Sequence, residues 1–414
     1  MPSIGISACL GDNEAIKYNL LLLDMQISAR HSMNKSQIQF LELLRAGLWG
    51  VAPDPDHFKP DSVDWRAVLR IAKEQTMVVV VTDGIELLPR ELWPPKEAMM
   101  KLAMMRLKTE QAHALLNSTI AQIVRALDAQ GVPSVLLKGQ GIARNYRRPE
   151  SRACGDIDLY TGLGGYHKAF EIIEALHEGR PHKEAAECAH HLHTSLNGVE
   201  VEIHRQASII HGRRMDANFQ KWTKDSLDDR FGTGSLEVWD NAGAPVALAP
   251  ATFNAFFILH HAVRHMTTEG VGFRQICDWV MLLHKYHAKI DSESLARKLK
   301  ELRMERIWAE FGRMAVNYLG LPADELPLAP ADIAPTRRTR VLLDHIFVSG
   351  NFGRFDANGR DRSNPPYLVR KWRSFTFQSK RLMKLFRLFP GYASAYMWHW
   401  FTGAVWRFIT QTDK

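Results

Sequence analysis

The amino-acid sequence predicts an α+β fold, in which a small mixed sheet with its own helices lies between two helical regions. Runs in which apolar and polar residues alternate, the pattern of strands, are concentrated between residues 134 and 248. Runs with helical spacing occur before and after that stretch. Glycine and proline mark the joints, since Gly131 follows the longest helical run and Pro250 precedes the later ones.

This pattern divides the chain of 414 residues into four predicted segments. Residues 1–133 form an N-terminal helical region, and residues 134–248 form the mixed core that contains the sheet. Residues 249–349 form a second helical domain. Residues 350–414 carry basic, aromatic-rich C-terminal helices.

In the N-terminal region, the first thirty residues have little periodicity, so we expect a mobile start. Amphipathic spacing predicts helices over Gln37–Leu48 and Asp61–Glu74, the second with an aspartate cap. A long helix is predicted over Pro95–Gln130, because proline is favoured at a helix start and glycine just past its end.

The later elements follow from the same two periodicities. In the core we predict strand Ser134–Lys138, helix Gly141–Tyr146, strand Asp156–Tyr160, helix Tyr166–His177, and strands His191–Leu196 and Val199–His204. After Pro250 we predict helices Ala251–Met266, Arg274–His287, Ser292–Leu302, Glu305–Leu319 and Pro335–Phe347, a loop over Gly350–Pro366, and helices Tyr367–Leu388 and Gly391–Thr410.

The most informative motif is an Asp-x-Asp unit formed by Asp156 and Asp158, with Ile157 and Leu159 interleaved. On a strand, residues i and i+2 point to the same face. Two carboxylates on one face of a buried strand repel each other unless a cation neutralises them. Hard divalent cations such as Mg²⁺ prefer carboxylate oxygens, so the motif indicates a metal site.

A second carboxylate strand follows, in which Glu200, Glu202 and His204 alternate onto one face. An Asp-x-Asp strand together with a third carboxylate is the arrangement of two-metal phosphoryl transfer. Both Glu200 and Glu202 are candidates for the third ligand, because they share that face.

A glycine turn precedes the carboxylates. The apolar run ending at Lys138 leads into Gly139, where the backbone can approach a phosphate closely. Lys138 and Arg152 add positive charge on either side, and a guanidinium suits bidentate phosphate binding. Lys138, Gly139 and Arg152 are therefore candidate nucleotide-binding residues.

These motifs, in this order, resemble the polymerase-beta-like nucleotidyltransferase fold. More narrowly, the chain resembles the bacterial uncharacterised nucleotidyltransferase family over most of its length. The residues that carry the resemblance are Leu137-Lys138-Gly139, Tyr146, Arg152, Asp156-Ile157-Asp158-Leu159, Val201-Glu202-Ile203-His204, Leu259–His265 and Gly272–Trp279.

The resemblance implies a function and ligands. It implies transfer of a nucleoside monophosphate from an NTP to a hydroxyl acceptor, with Mg²⁺ or Mn²⁺ held by Asp156, Asp158 and Glu202. It favours Glu202 over Glu200 as the third carboxylate, where the family usually has an aspartate. Many family members lie near polysaccharide genes, which implies a link to surface polysaccharide synthesis. It also implies a helix over Met77–Val81, where propensity alone favours a strand.

Two other function classes stay open. One is a toxin-like nucleotidyltransferase that modifies tRNA or protein. The other is a non-catalytic, membrane-peripheral binding or assembly protein.

The charge balance predicts a polyanionic partner, and the cysteines predict a cytoplasmic protein. The 53 basic and 45 acidic residues give a net charge of +8, which fits a nucleotide, a nucleic acid or an anionic membrane surface. The four cysteines are scattered and no signal peptide is evident, which indicates reduced thiols. No run reaches the roughly 18 apolar residues that a membrane span needs.

The C-terminal region has no acidic residue between Asp361 and Asp413, and its basic residues are interleaved with aromatic ones. This pattern is typical of helices packed on the protein body, of a peripheral membrane anchor and, less closely, of a nucleic-acid surface. The basic residues that would contact anionic lipid are Arg370, Lys371, Arg373, Lys380, Arg381 and Lys384.

The histidines give weaker signals. The set of His177, His182, Cys188, His190, His191 and His193 matches no common zinc module in its spacing. His191 and His193 alternate beside the carboxylate strand, so they and His204 are candidates for a role in the site. His261, His265 and Asp278 could line a cleft from the helical side.

Overall fold

The structure, a computed structural model, describes residues 33–177, 191–231, 236–268, 270–350 and 385–410, together with Thr233, Thr376, Ser379, Leu382 and Met383. The mobile start predicted for the first thirty residues lies outside the described residues. So do all but Gly350 of the predicted loop Gly350–Pro366 and most of the predicted helix Tyr367–Leu388.

The regular secondary structure in the described part of the N-terminal region is helical. Its helices are α1 (Lys35–Trp49), α2 (Trp65–Glu74), α3 (Val78–Ile85) and α4 (Lys96–Ala129). The helix expected at residues 77–81 is confirmed. Helix α3 crosses α1 so closely that a Cβ atom on Gly84 would lie 2.1 Å from the carbonyl oxygen of Leu43. Burial of the valine-rich run against α1 therefore overrides its strand propensity.

Six strands form one mixed sheet in the described residues of the middle of the chain, with helices between some of them. The elements are β1 (Val135–Leu136), α5 (Gln140–Ala143), β2 (Asp156–Tyr160), α6 (Gly162–Ala175), β3 (His191–Leu196), β4 (Val199–His204), α7 (Arg213–Ser226), β5 (Glu237–Asn241) and β6 (Ala244–Leu248). The strand order is β3-β4-β2-β1-β6-β5. Strand β2 runs parallel to β4, and β3 is antiparallel to β4 at one edge.

One face of this sheet is apolar and buried. Ile157, Leu159, Val201 and Ile203 point to that face and pack with residues of helices α4 and α6 in one hydrophobic cluster. Because side chains alternate along a strand, the polar residues of β2 and β4 must point to the opposite face. The helices that follow the sheet cover that opposite face in part.

In the described part of the chain after the sheet, the regular secondary structure is helical. Its helices are α8 (Ala251–Thr268), α9 (Phe273–Tyr286), α10 (Ser292–Glu301), α11 (Glu305–Leu319), α12 (Arg337–Ser349) and α13 (Pro390–Thr410). None of the helices in the described part of the chain is both long and apolar enough to cross a membrane.

The helices before and after the sheet share a single hydrophobic core. The indole Nε1 of Trp49 on α1 donates to the carbonyl oxygen of Leu319 at 2.6 Å. The Gln75 side chain bridges in the same way, since its Nε2 donates to the carbonyl oxygen of Ile346 and its Oε1 accepts from the Phe273 backbone. The predicted α+β fold, a small mixed sheet flanked by helical regions, is confirmed, whereas the four segment boundaries stay predictions.

Two elements were not predicted from the sequence. Helix α7 is one, and the hairpin of β5 and β6 is the other. The turn of that hairpin places Ala242 at φ 52° and Gly243 at φ 75°. Alanine is uncommon in the left-handed region. This turn therefore has no Asn-Gly signal like the one at residues 197 and 198 between β3 and β4, and the hairpin could not be recognised from the sequence.

Candidate active site

The carboxylates predicted from the sequence lie in neighbouring rows on the polar face of the sheet. Strand pairing sets Asp156 beside Glu200 and Asp158 beside Glu202. The parallel register aligns these residues without offset, so the two carboxylate-bearing strands present their acids side by side. The side chain of Glu200 is 64% exposed, whereas that of Glu202 is 20% exposed.

Asp158 lies at the centre of the site. Its Oδ1 atom accepts from the Lys138 ammonium at 2.8 Å and from His204 Nε2 at 3.0 Å. The same His204 nitrogen lies 3.2 Å from Glu202 Oε2. Burial by itself would raise the pKa of Asp158, but Lys138 and His204 outweigh it, and this pKa lies well below its usual range.

The second oxygen of Asp158, Oδ2, is buried and has no hydrogen-bond partner among the described residues. A buried carboxylate oxygen without a partner is costly and calls for an explanation. Asp158, Glu202 and His204 each offer a ligand atom within 4.8 Å of the others. The two carboxylates fit a divalent cation, with the His204 imidazole bridging them, and Oδ2 is the Asp158 oxygen that can coordinate the cation without losing a hydrogen bond.

Asp156 stands at the rim of this group and lines the same cleft. The negative charge of Asp158 and then burial raise the pKa of Asp156 above its usual value. Lys138 and Arg274 act in the opposite direction without cancelling the shift. Negative charge at this end of the site is therefore only partly balanced by the protein.

The turn after β1 brings the Lys138 side chain to Asp158. Gly139 has φ 58° and ψ −119°, a conformation that disfavours any residue with a side chain. A Cβ atom there would lie 3.2 Å from the carbonyl oxygen of Asp156. Gly139 thus permits the close packing of this turn on β2, and both Lys138 and Gly139 line the cleft.

Arg152 is engaged with the helical side of the molecule. Its guanidinium forms a bidentate ion pair with Asp278 on α9, with Nε–Oδ1 at 2.9 Å and Nη2–Oδ2 at 2.6 Å. Tyr146 donates its hydroxyl to Asp278 Oδ1 at 2.8 Å. The remaining Nη1 group donates to the Ala153 carbonyl and lies 2.8 Å from Cys154 Sγ. Most donors of Arg152 are therefore committed to holding the segment before β2 against α9.

Helices α8 and α9 form the other wall of a cleft of about 380 Å³. From α8 the lining residues are Ile258, His261, Arg264, His265 and Thr268. Their spacing of three or four residues places them on one helical face. From α9 the lining residues are Arg274, Gln275 and Asp278. The cleft volume lies within the range of small-molecule sites.

This wall contributes positive charge that the motifs had not assigned. Arg264 and Arg274 line the cleft opposite the carboxylates, and Arg274 Nη1 donates to the carbonyl oxygen of Ala153 at 3.2 Å. Of the three residues proposed for this side, His261 and His265 contact each other through their Nε2 atoms at 3.0 Å, and Asp278 holds Arg152. The sequence pattern that could have identified Arg264 as a cleft residue is the helical spacing of polar residues within the apolar helix α8.

The remaining candidates lie on the sheet edge. Strand pairing sets His193 beside Glu202 and His191 beside His204, so both histidines belong to the carboxylate face. Within the histidine- and cysteine-rich set, His182, Cys188 and His190 lie outside the described residues.

Comparison with known proteins identifies a family. A family model described as an uncharacterised nucleotidyltransferase matches residues 61–320, well over half of the chain. No curated protein and no solved structure matches the chain. The matched span runs from α2 through α11, so both walls of the cleft fall within it.

The partly compensated charge at Asp156 gives a first prediction. In protein treated with a chelator, Asp156→Asn should raise the free energy of unfolding by about 0.5–2 kcal/mol, because it removes repulsion from Asp158. Mg²⁺ or Mn²⁺ should stabilise the parent protein and not the variant. Chemical denaturation with and without cation measures both effects.

Glu200→Gln is the matched control for Asp156→Asn, because it removes a neighbouring but exposed charge and should leave stability and cation response unchanged. A destabilised Asp156→Asn protein that still responds to cation would contradict this account of the site.

The Arg152–Asp278 pair gives a second prediction. Arg152→Gln should lower the free energy of unfolding by about 3–5 kcal/mol, because it leaves the buried Asp278 carboxylate without its partner. Lys221→Gln, which breaks the exposed pair with Asp225, should cost less than about 1 kcal/mol. Denaturant unfolding of both variants tests the contrast, and equal costs would show that the buried pair does not hold the two walls together.

Proposed function

This chain belongs to the uncharacterised nucleotidyltransferase family, and we propose that it transfers a nucleoside monophosphate from an NTP to a hydroxyl acceptor with Mg²⁺ or Mn²⁺. The observation that carries the proposal is the Asp158 carboxylate. Its buried Oδ2 atom lacks a hydrogen-bond partner among the described residues, and Asp158 offers a ligand atom within 4.8 Å of those of Glu202 and His204.

Asp156, Asp158 and Glu202 are the proposed metal ligands. A divalent cation held there would neutralise charge on the phosphates. The acceptor oxygen would attack the α-phosphorus while Glu202 helps to remove the hydroxyl proton, and the bond to the β-phosphate would break so that pyrophosphate leaves. His204 is a positioning residue in this proposal, because one ring nitrogen contacts both Asp158 and Glu202 and so fixes the spacing of two ligands. Burial would raise the pKa of Glu202, but the hydrogen bond from His204 and the charges of Lys138 and His204 together outweigh it, so this pKa is lowered and the ionised carboxylate is favoured.

The wall formed by α8 and α9, together with Lys138, is the proposed binding site of the triphosphate. Lys138 reaches from the sheet side, and Arg264 and Arg274 line the cleft from the helices. Burial and the neighbouring charge of Arg152 lower the pKa of Arg274, so an anion beside this guanidinium would relieve both costs. Arg152 supports this nucleotide site through its charge and by holding α9 in place, since most of its donors are bound to Asp278, Ala153 and Cys154.

Glu202 is the proposed link to the acceptor. It stands one strand further from the Lys138 turn than Asp158 does, in the order β4-β2-β1. That position suits a ligand that serves the attacking hydroxyl more than the triphosphate. A saccharide acceptor, and hence surface polysaccharide synthesis, agrees with the hydroxyl chemistry and with the expectation from the family resemblance.

The carboxylates should therefore separate binding from chemistry. Asp158→Asn should abolish Mg²⁺- or Mn²⁺-dependent NTP binding, because it removes the central charged ligand. Glu202→Gln should retain most NTP affinity and lower turnover by about 10² or more. Binding is measured by calorimetry with each NTP. Turnover is measured as transfer of label from α-labelled NTPs to acceptors in a cell lysate.

Glu200→Gln is the control, since Glu200 sits on the same strand face and is mostly exposed. If Glu200→Gln lost turnover while Glu202→Gln kept it, the third metal ligand would be Glu200 and the present assignment to Glu202 would be wrong. Full metal-dependent NTP binding by Asp158→Asn would overturn the proposed site.

Contact with an anionic membrane surface is a second candidate function, and exposed aromatic residues on α13 favour it. Trp398 is 71% and Phe401 53% exposed, while Tyr392 and Tyr396 on the same helix are buried. The six basic residues predicted to contact lipid lie outside the described residues.

Flotation with anionic vesicles tests the membrane candidate. The full chain should bind weakly and in a salt-sensitive way, and Trp398→Ser with Phe401→Ser should reduce binding severalfold, because both remove exposed apolar surface. Leu163→Ser, at a leucine 70% exposed on α6, is the matched control. Binding that is equal in all three proteins, or equal on neutral vesicles, would reject this candidate.

A further inference from the structure

A second cluster of metal-ligating side chains lies at the edge of the sheet, beside the carboxylates. His191 and His193 stand two residues apart on edge strand β3, so they share a face. Pairing of β3 with β4 sets Glu202 directly beside His193. His191, His193 and Glu202 each offer one ligand atom, and these atoms lie within 4.8 Å of one another.

The distances within this cluster suit a shared ion. His193 Nδ1 lies 3.8 Å from Glu202 Oε1, and His191 Nδ1 lies 3.9 Å from Glu202 Oε2. Both distances exceed hydrogen-bond length. Zinc bonds of roughly 2.1 Å at a tetrahedral angle place two ligand atoms about 3.4 Å apart, so small side-chain rotations would bring these donors onto one ion.

The cluster is only partly buried, so an ion can reach it. Glu202 and His191 line the cleft, and the side chain of His193 is 28% exposed at the sheet edge. His204 extends the cluster inward, because its ring centroid lies 5.0 Å from that of His191. Three ligands with one accessible side match the two-histidine, one-carboxylate sets that leave a coordination position open.

The donor chemistry differs from that of the neighbouring carboxylates. Imidazole nitrogen favours zinc and other transition ions, whereas Mg²⁺ is bound by oxygen ligands. Of the ligands proposed for Mg²⁺ or Mn²⁺, all are carboxylates, but two of the three donors at the sheet edge are nitrogens. We propose that His191, His193 and Glu202 form a distinct site for a divalent transition-metal ion, with Zn²⁺ as the expected ion.

The two sites share Glu202, so they are coupled. An ion on His191 and His193 withdraws one Glu202 oxygen from the carboxylate group around Asp158. The proposed edge site does not require the chain to transfer nucleotides, because it rests on the β3–β4 pairing and on the donor atoms of His191, His193 and Glu202. It makes zinc a candidate regulator of whatever chemistry the carboxylates perform.

Hydrogen bonding between the histidines is the competing explanation. His191 Nε2 and His193 Nε2 lie 2.7 Å apart, which fits a bond between two neutral imidazoles. In that case the pair stabilises the edge strand and binds no ion with useful affinity. Direct measurement with metal alone separates the two.

The experiment titrates the full-length protein with Co²⁺, a visible-absorbing substitute for Zn²⁺, in the presence of excess Mg²⁺. We expect one equivalent of Co²⁺ to give the intense absorption of a four-coordinate nitrogen and oxygen site, and Zn²⁺ to displace it. His193→Gln should weaken Co²⁺ binding by at least about tenfold. His167→Gln, at an exposed histidine on α6, should leave it unchanged.

Further variants separate this proposal from the proposed function. Asp156→Asn should keep Co²⁺ binding, while His193→Gln should keep Mg²⁺-dependent NTP binding. Circular dichroism and thermal unfolding of each variant exclude loss of fold as the cause of weaker binding. Absence of a four-coordinate Co²⁺ spectrum in the parent protein, or a His193→Gln protein that binds Co²⁺ as tightly as the parent, would overturn the edge site whatever the fate of the nucleotidyl transfer.

Discussion

Repulsion among carboxylates is the constraint on which the rest of this structure depends. Parallel pairing of β2 and β4 places Asp156 and Asp158 next to Glu200 and Glu202 on one sheet face. Solvent exposure lowers the cost of the charge on Glu200, whereas Asp158 is buried and receives no such stabilisation from water. The ammonium of Lys138 and the imidazole of His204 bind its Oδ1 atom, and without them ionised Asp158 could not be buried at this position.

The same constraint explains why the cleft has two walls of opposite charge. The sheet supplies carboxylates, and helices α8 and α9 supply Arg264 and Arg274. These walls come from distant parts of the chain, so their separation must be fixed. The bidentate Arg152–Asp278 pair does this next to the motif itself, because Arg152 precedes Asp156 by four residues and Asp278 lies on α9.

The sequence predicted those parts of the fold and site that local patterns specify. Strands β2, β3 and β4 were predicted to the residue, because two-residue alternation defines them. The same alternation placed Asp156 and Asp158 on one face of their strand and Glu200 and Glu202 on one face of theirs. The β5–β6 hairpin was missed because Ala242 is an atypical turn residue. The partner of Arg152 could not be predicted, since Asp278 is 126 residues away and only tertiary packing brings them together.

The two carboxylate oxygens of Asp158 have different roles. Lys138 and His204 both use its Oδ1 atom, so the partnerless Oδ2 atom can take a cation without displacing either of them. Compensation by the protein and coordination of a metal are therefore compatible at one carboxylate. Across the sheet the donors change from oxygen on β2, through oxygen and nitrogen on β4, to nitrogen on β3. Neighbouring strands lie only about 4.8 Å apart, so hard and softer cations can be held by adjacent strands that share one glutamate.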